Sequence, residues 1–318
     1  MSHRELLADH YQIHPGDRVT IDGRTGFLAD GSIYFTMKST DVETVHLEQA
    51  VLAYYLLENG FPHIALPIKN MKDEWFTVYG KEHYLTYRVT MRNSDRQNNG
   101  TALADVHQIG SAYSYEPKAL SSYGAWRQLW TDKLTLFEER VKNSSSKLLL
   151  DVLPYVIGMS ENAIQYLRET EETESRFSEI DQGTITFLRF HHQFHREVLW
   201  PDELGYDHPA RDIAEHLRAL FLFREPDDIQ RQFIHDYEEI RPLSPFSLRL
   251  IYARLLFPIH LFDAMEPFFY SDETSQHEQV LTDMIARQAD YEKSLRNFFK
   301  TIGVDPEEVQ LIEVDWLT

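Results

Sequence analysis

Cysteine is absent from this chain of 318 residues. Disulfides, thiolate metal sites and cysteine nucleophiles are therefore excluded. Cations are scarce: 31 Lys and Arg stand against 51 Asp and Glu, a formal net charge of −20. Nucleic acids and anionic membranes are recognised through dense Lys and Arg, so neither is an expected partner. A nucleotide needs only a few local cations and stays open. No run of about 18 apolar residues occurs, so no membrane insertion is expected. The first residues, Met1–Tyr11, are charged and poor in apolar side chains, unlike a signal peptide. The chain is expected to be made and kept inside the cell. Neither His-Glu-x-x-His nor Gly-x-Ser-x-Gly is present, which leaves out the metalloprotease and serine-hydrolase signatures.

What remains is a globular composition, with 42% hydrophobic and 13% aromatic residues and enough length for one large domain or two lobes around a cleft. Arg18–Ile21, Thr25–Ala29 and Ile33–Lys38 read as strands, with Asp22-Gly23 and Asp30-Gly31 as turn signals between them. Leu47–Glu58 has helical spacing and closes on Asn59-Gly60. Ile64–Ile68, Trp75–Val78 and Tyr84–Val89 alternate like further strands. Residues 91–100 are polar and suit a hinge. Beyond them the periodicity predicts helices over Thr101–Ile109, Tyr123–Asn143, Lys147–Tyr155, Ser160–Glu172, Arg211–Phe223, Asp227–Tyr237, Pro245–Leu261 (with Pro258 kinking or stopping it) and Glu278–Ile302. Thr184–Phe190 is the exception, a β-branched and aromatic strand. The expected division is a β-rich unit over 1–90, a linker over 91–100 and a helical unit over 101–318. That outline is α+β and matches a protein kinase.

Four motifs sharpen it: Tyr34-Phe-Thr-Met-Lys38, Glu48 through Gly60-Phe61, Leu103-Ala-Asp-Val-His107, and Tyr206-Asp-His-Pro-Ala-Arg-Asp-Ile-Ala214. In this order they resemble the spore coat protein S family of endospore-forming bacilli, and within it the YutH type. These are kinase-like proteins related to aminoglycoside and choline kinases. The resemblance covers roughly Gly16 to Tyr270. It implies an aminoglycoside phosphotransferase-like two-lobed fold, other spore coat proteins as partners, and synthesis in the sporulating cell followed by deposition in the coat.

The resemblance also assigns residues. Lys38 fits the strand-three lysine that steadies the phosphates of ATP, with Glu48 as its ion-pair partner. His107 fits a packing histidine at the end of the first large-lobe helix. Asp212 fits the carboxylate that accepts hydrogen bonds from the catalytic-loop backbone, a structural role, and a carboxylate at a helix start is also favoured by the dipole. The nucleotide-covering loop, which should carry Gly-x-Gly-x-x-Gly, is reduced to Asp22-Gly-Arg-Thr-Gly26, which leaves Arg24 as a weak phosphate contact. The catalytic loop fails outright. It should read His-Gly-Asp, then an Asn after four intervening residues, followed by a metal-binding Asp. Aligning His191 with the motif histidine puts Gln193 and Val198 at the catalytic positions, and a shifted register puts Phe190 there. The metal-binding position falls on Trp200. No aspartate occurs between Asp181 and Asp202.

The expectation is therefore a catalytically degenerate kinase-like coat protein. Its alternative is an active small-molecule or protein phosphotransferase with a rebuilt loop, using ATP and Mg, with Asp202 as metal ligand and His191 or a neighbour as base. A third possibility is a zinc-type site among His191, His192, His195, His208 and His216, with Glu197 or Asp202 as companion. The end of the chain, Val309–Thr318, alternates in apolar character and suits either docking on its own domain or a hook for a partner.

Overall fold

Two Asp-Gly pairs set the register of the amino-terminal sheet. They join β1 (Arg18–Ile21), β2 (Arg24–Ala29) and β3 (Ser32–Ser39) through loops of only two residues. Asp22, Gly23, Asp30 and Gly31 all have positive φ, between 48° and 78°. This is the type I′ turn, whose twist matches antiparallel strands. The computed structural model describes residues 3–39, 42–61, 63–90, 99–172, 177–190, 193–270, 274–305, 307 and 309. In it β6 (Glu82–Val89) pairs with β3, while β4 (Leu66–Ile68) and β5 (Thr77–Tyr79) both pair with β6, all antiparallel.

Strand alternation sorts the side chains onto two faces. Ile33 and Phe35 join Ile21, Leu85, Tyr87 and Val89 on one. Tyr34 joins Phe27 and Ala29 on the other, under Leu7 of α1 (His3–Tyr11). That helix was not expected from the sequence, because among its nine residues Leu6 and Leu7 alone are buried. α2 runs over Glu43–Glu58, starting four residues before the expected Leu47 and gaining Glu43 in its first turn, a favourable end for a carboxylate.

Contacts group the chain into two compact units, residues 1–121 with 183–207, and 122–182 with 208–318. The first is wider than the 1–90 unit drawn from sequence. It takes in α3 (Asn99–Ser111) and the hairpin of β7 (Thr184–Phe187) and β8 (Leu204–Asp207). Residues 91–98 of the expected linker lie outside the described residues. α3 packs on β7 at Gly110, where a Cβ would come within 2.4 Å of Thr184 Oγ1 and 2.6 Å of the Ile185 amide nitrogen. β7 ends three residues before the expected Phe190, and one further bond, from the Leu188 amide to the Glu203 carbonyl at 2.7 Å, follows its last paired residue.

The second unit is helical: α4 (Trp126–Lys142), α5 (Lys147–Glu171), α6 (Ala210–Phe223), α7 (Asp227–Glu238), α8 (Pro245–Leu256), α9 (Ile259–Met265), α10 (Thr274–Ala286) and α11 (Gln288–Ile302). α5 replaces the two helices expected over 147–172 and carries Pro154 inside it. A proline in a helix costs about 3 kcal/mol. The stripe of Leu149, Val152, Leu153, Val156, Met159, Ala163, Tyr166 and Leu167, all buried, outweighs it at roughly 1.5–3 kcal/mol per large side chain. Pro258 stops the helix begun at Pro245, and the single helix expected over 278–302 is broken at Arg287.

Asp181 knots this unit together. Ser178 and Asp181 form a reciprocal capping box, and the buried carboxylate also accepts from Ser244 Oγ and Ser247 Oγ, each at 2.6 Å. His208 Nε2 lies 3.5 Å away. Burial alone would push the Asp181 carboxyl up, but hydrogen bonds from His208, Ser244, Ser247 and Ser178 outweigh it and bring it down to about 2. Asp181→Asn should therefore cost about 2 kcal/mol at neutral pH, measured by urea denaturation. A lowered carboxyl gives stability that is complete above the unfolded value and fades as pH falls from about 4 toward 2. A wild-type advantage that grew on acidification would contradict the assignment.

Candidate functional site

Trp200 reaches the sheet because the chain around it is pinned at several points. The Leu199 amide donates to the His63 carbonyl at 2.7 Å, and the Ala65 amide to the Leu199 carbonyl at 2.8 Å. These bonds make Leu199 a parallel bridge partner of Ile64. Pro201–Glu203 then form a 3-10 turn, with the Glu203 amide donating to the Trp200 carbonyl. The indole lands on the sheet face that carries Phe35 and Tyr87 and has no exposed surface. Its ring centre is 4.9 Å from that of Phe35 and 6.2 Å from that of Tyr87, both edge-to-face, the spacing aromatic pairs prefer.

The β1–β2 turn closes over the indole. Trp200 Nε1 donates to Asp22 Oδ2 at 3.4 Å. Arg24 lies 4.2 Å above the ring, a cation–π contact. Its Nη1 donates to both Asp202 carboxylate oxygens, at 3.0 and 3.1 Å, and its Nη2 lies 3.6 Å from Glu203. Arg196 holds the same Glu203 at 2.6 Å. Two arginines thus balance two carboxylates, all partly buried. With Asp22 and Gly23 both at positive φ the turn lacks the alternating backbone geometry that cradles a phosphate, and its Asp22 already serves the indole.

The residues expected to handle ATP are distributed differently. Lys38 follows Met37 on β3, and it is Met37 that packs against the Trp200 cluster, with its sulfur 3.0 Å from Arg24 Nη1. Lys38 is on the opposite face and pairs with Glu82 at 2.8 Å, both side chains about half exposed. Glu82 is the largest influence holding the Lys38 ammonium above its ordinary pKa. The ion pair expected between Lys38 and Glu48 is corrected accordingly. Glu48 accepts instead from the amides of Lys118, Ala119 and Leu120 at 2.9, 2.8 and 3.0 Å. The Leu120 carbonyl in turn accepts from the Tyr206 amide, so Glu48 anchors the loop beside β8.

Where the catalytic loop was sought, Phe187, Phe190 and Phe194 form an aromatic trio with ring centres 5.4 to 5.7 Å apart. Gln193 is buried and donates to the Arg189 carbonyl. His191 and His192 lie outside the described residues. The other histidines go separate ways: His195 meets Asn99 at 3.1 Å, His208 faces Asp181, and His216 packs on Phe233. Among the described residues no three His, Asp or Glu side chains converge to hold a metal ion. His107 and Asp212 are both fully buried. The His107 carbonyl accepts from Thr184 Oγ1 at 2.8 Å, and Asp212 sits in the first turn of α6. Residues 310–318 of the tail lie outside the described residues.

Two residues at the heart of these arrangements carried little or no sequence signal. Arg24 was legible only as a weak phosphate contact. Asp181 had one available cue, the Ser178-x-x-Asp181 spacing of a capping box.

A family model described as "Spore coat putative kinase YutH" matches residues 4–298. The chain belongs to this family. It is 33% identical over 291 residues, 86% of each chain, to the endospore coat-associated protein YutH of Bacillus subtilis (strain 168). Among solved structures, an aminoglycoside phosphotransferase from Alicyclobacillus acidocaldarius superposes with a TM-score of 0.63 at 13% identity, covering 91% of this chain and 93% of that one. A spectinomycin phosphotransferase in complex with ADP and spectinomycin gives 0.54 at 13% identity, covering 90% and 97%. At such identities the likeness establishes the fold, that of the aminoglycoside phosphotransferase-like kinases.

Replacing Trp200 with Ala should destabilise the protein by roughly 3–5 kcal/mol, the usual range for deleting a buried aromatic. Glu48→Ala should cost about 1 kcal/mol by removing a charged acceptor shared by three backbone amides. Lys38→Ala should leave stability unchanged. Equilibrium denaturation of the three variants checks this order, and a loss at Lys38 exceeding that at Glu48 would contradict it.

Proposed function

We propose that this chain is a kinase-shaped coat protein that works by binding and assembly in the endospore coat, without phosphoryl transfer. The observation that carries the reading is the burial of Trp200 on the face of the sheet where a kinase holds its nucleotide. In kinases the glycine-rich β1–β2 loop covers the phosphates and the β3 lysine points at them. Here the corresponding turn covers an indole, and the lysine one residue past Met37 faces away.

ATP and Mg therefore do not fit the residues present. Lifting out a buried indole costs roughly 5 kcal/mol, taking about 200 Å² at 25 cal/mol per Å². A binding-competent state raised that far lowers apparent affinity by three to four powers of ten, roughly. Asp202 could serve a metal only after its two bonds to Arg24 were broken. The alternative of an active phosphotransferase with Asp202 and His191 in catalytic roles must meet both costs together.

Coat deposition and coat-protein partners come from the relative, whose name marks it as endospore coat-associated. The reading that follows is synthesis in the sporulating cell and incorporation into the coat, with other coat proteins as binding partners. A kinase fold suits such a role because stability and surface survive the loss of chemistry.

Thermal unfolding with and without millimolar ATP and Mg tests the reading. A ligand at a hundred times its dissociation constant stabilises by about 2.7 kcal/mol, so a true nucleotide site gives a clear, saturable rise in Tm. The expected outcome is no shift. A saturable shift, or ATP turnover lost on replacing Asp202, would overturn the proposal.

A further inference from the structure

The helical unit carries a partly open cavity of about 170 Å³ lined by residues of α4, α5 and α8 together with Tyr123, Phe177 and His208. It contains none of the positions discussed for phosphoryl transfer. Its surface is made largely by the rings of Tyr123, Trp126, Phe177 and Phe246 with Leu167 and Leu250. Phe246 stands edge-to-face with Phe177 at 5.9 Å and with His208 at 6.0 Å. Trp126 is stacked at 5.7 Å on Trp130, which holds its ring in position.

The polar atoms of two wall residues are turned to other work. The Tyr123 hydroxyl donates to the Asp181 carbonyl at 3.1 Å. His208 Nδ1 accepts from the Ala210 amide at 3.0 Å, so its proton is on Nε2, facing Asp181. These residues present aromatic surface to the cavity. Glu171 differs. It is the last residue of α5, the negative end of the helix dipole, where a carboxylate is unfavourable. Burial pushes its carboxyl above the ordinary range, and Arg127 opposes that only in part. The contact with Arg127 spans 3.6 Å, beyond a hydrogen bond, and the Arg127 side chain is 55% exposed. Such a pair is weak. A carboxylate set among aromatic faces against its own helix dipole is a place where an added cation gains from both charge and π-contact.

Size narrows the ligand. An apolar cavity of about 150 Å³ accommodates benzene, so this one suits a single six-membered ring with a short substituent. We propose that the cavity is a binding site for a small monocyclic amine, its ring held by Trp126, Phe177 and Phe246 and its ammonium by Glu171. The inference is independent of whether the protein binds nucleotide.

The test uses the full chain, isothermal titration and the tryptophan fluorescence that Trp126 contributes to. The probes are phenethylamine, its neutral counterpart 2-phenylethanol and the anion phenylacetate. Phenethylamine should bind one site with a Kd below about 1 mM, at least about tenfold tighter than 2-phenylethanol, and phenylacetate should be weakest. Glu171→Gln should abolish the preference for the amine while 2-phenylethanol binding persists. Phe177→Ala, at a half-exposed position, should weaken both ring ligands without lowering Tm. Equal affinity for all three probes, absence of saturable phenethylamine binding, or an amine preference surviving in Glu171→Gln would each overturn the proposal. The probe series on the wild-type protein decides the matter even if a variant folds poorly.

Discussion

The strand-rich unit is organised around one buried indole and the cation that covers it. An indole brings a large apolar surface and one N–H that needs a partner when water is excluded. Phe35 and Tyr87 supply the surface, and Asp22 supplies the acceptor. Arg24 then does two jobs at once, capping the ring and holding Asp202. The short turn at Asp22-Gly23 is what brings Asp22 and Arg24 over the same ring. With the indole in place, a longer glycine loop would have nothing to cover.

Residues that the resemblance assigns to nucleotide handling make cohesive contacts in this fold. Glu48, on the helix that would supply a lysine partner, ties down three amides of the 118–120 loop. Phe187, Phe190 and Phe194 pack as an aromatic cluster. In the helical unit, Asp181 gathers Ser178, Ser244, Ser247 and His208. A buried, unpartnered carboxylate would be costly, whereas this one is fully provided with donors.

What the sequence disclosed depended on whether the signal was local. The two hairpins were legible because Asp-Gly fixes their turns, and the helices because their apolar stripes repeat. That no aspartate falls between Asp181 and Asp202 was legible by inspection of one interval. The side on which Lys38 points was not. Tyr34 through Met37 are apolar or uncharged, and both faces of β3 are covered, one by α1 and one by the Trp200 cluster, so alternation gave no parity. The gap expected between Tyr155 and Ser160 was overridden by a continuous buried stripe. Two of the serines that hold Asp181, Ser244 and Ser247, lie more than sixty positions away, a separation that no spacing rule spans. Of the candidate site, the sequence supplied Trp200 and Asp202 as positions. Their engagement with Asp22 and Arg24 across 178 residues of chain is a property of the fold.

The most direct test is a crystal structure of the protein grown with millimolar AMP-PNP and Mg. The account predicts density for the Trp200 indole against Phe35, with Arg24 on Asp202 and no nucleotide on that face of the sheet. A purine ring lying there, with the indole rotated out and Asp202 on a metal, would contradict it.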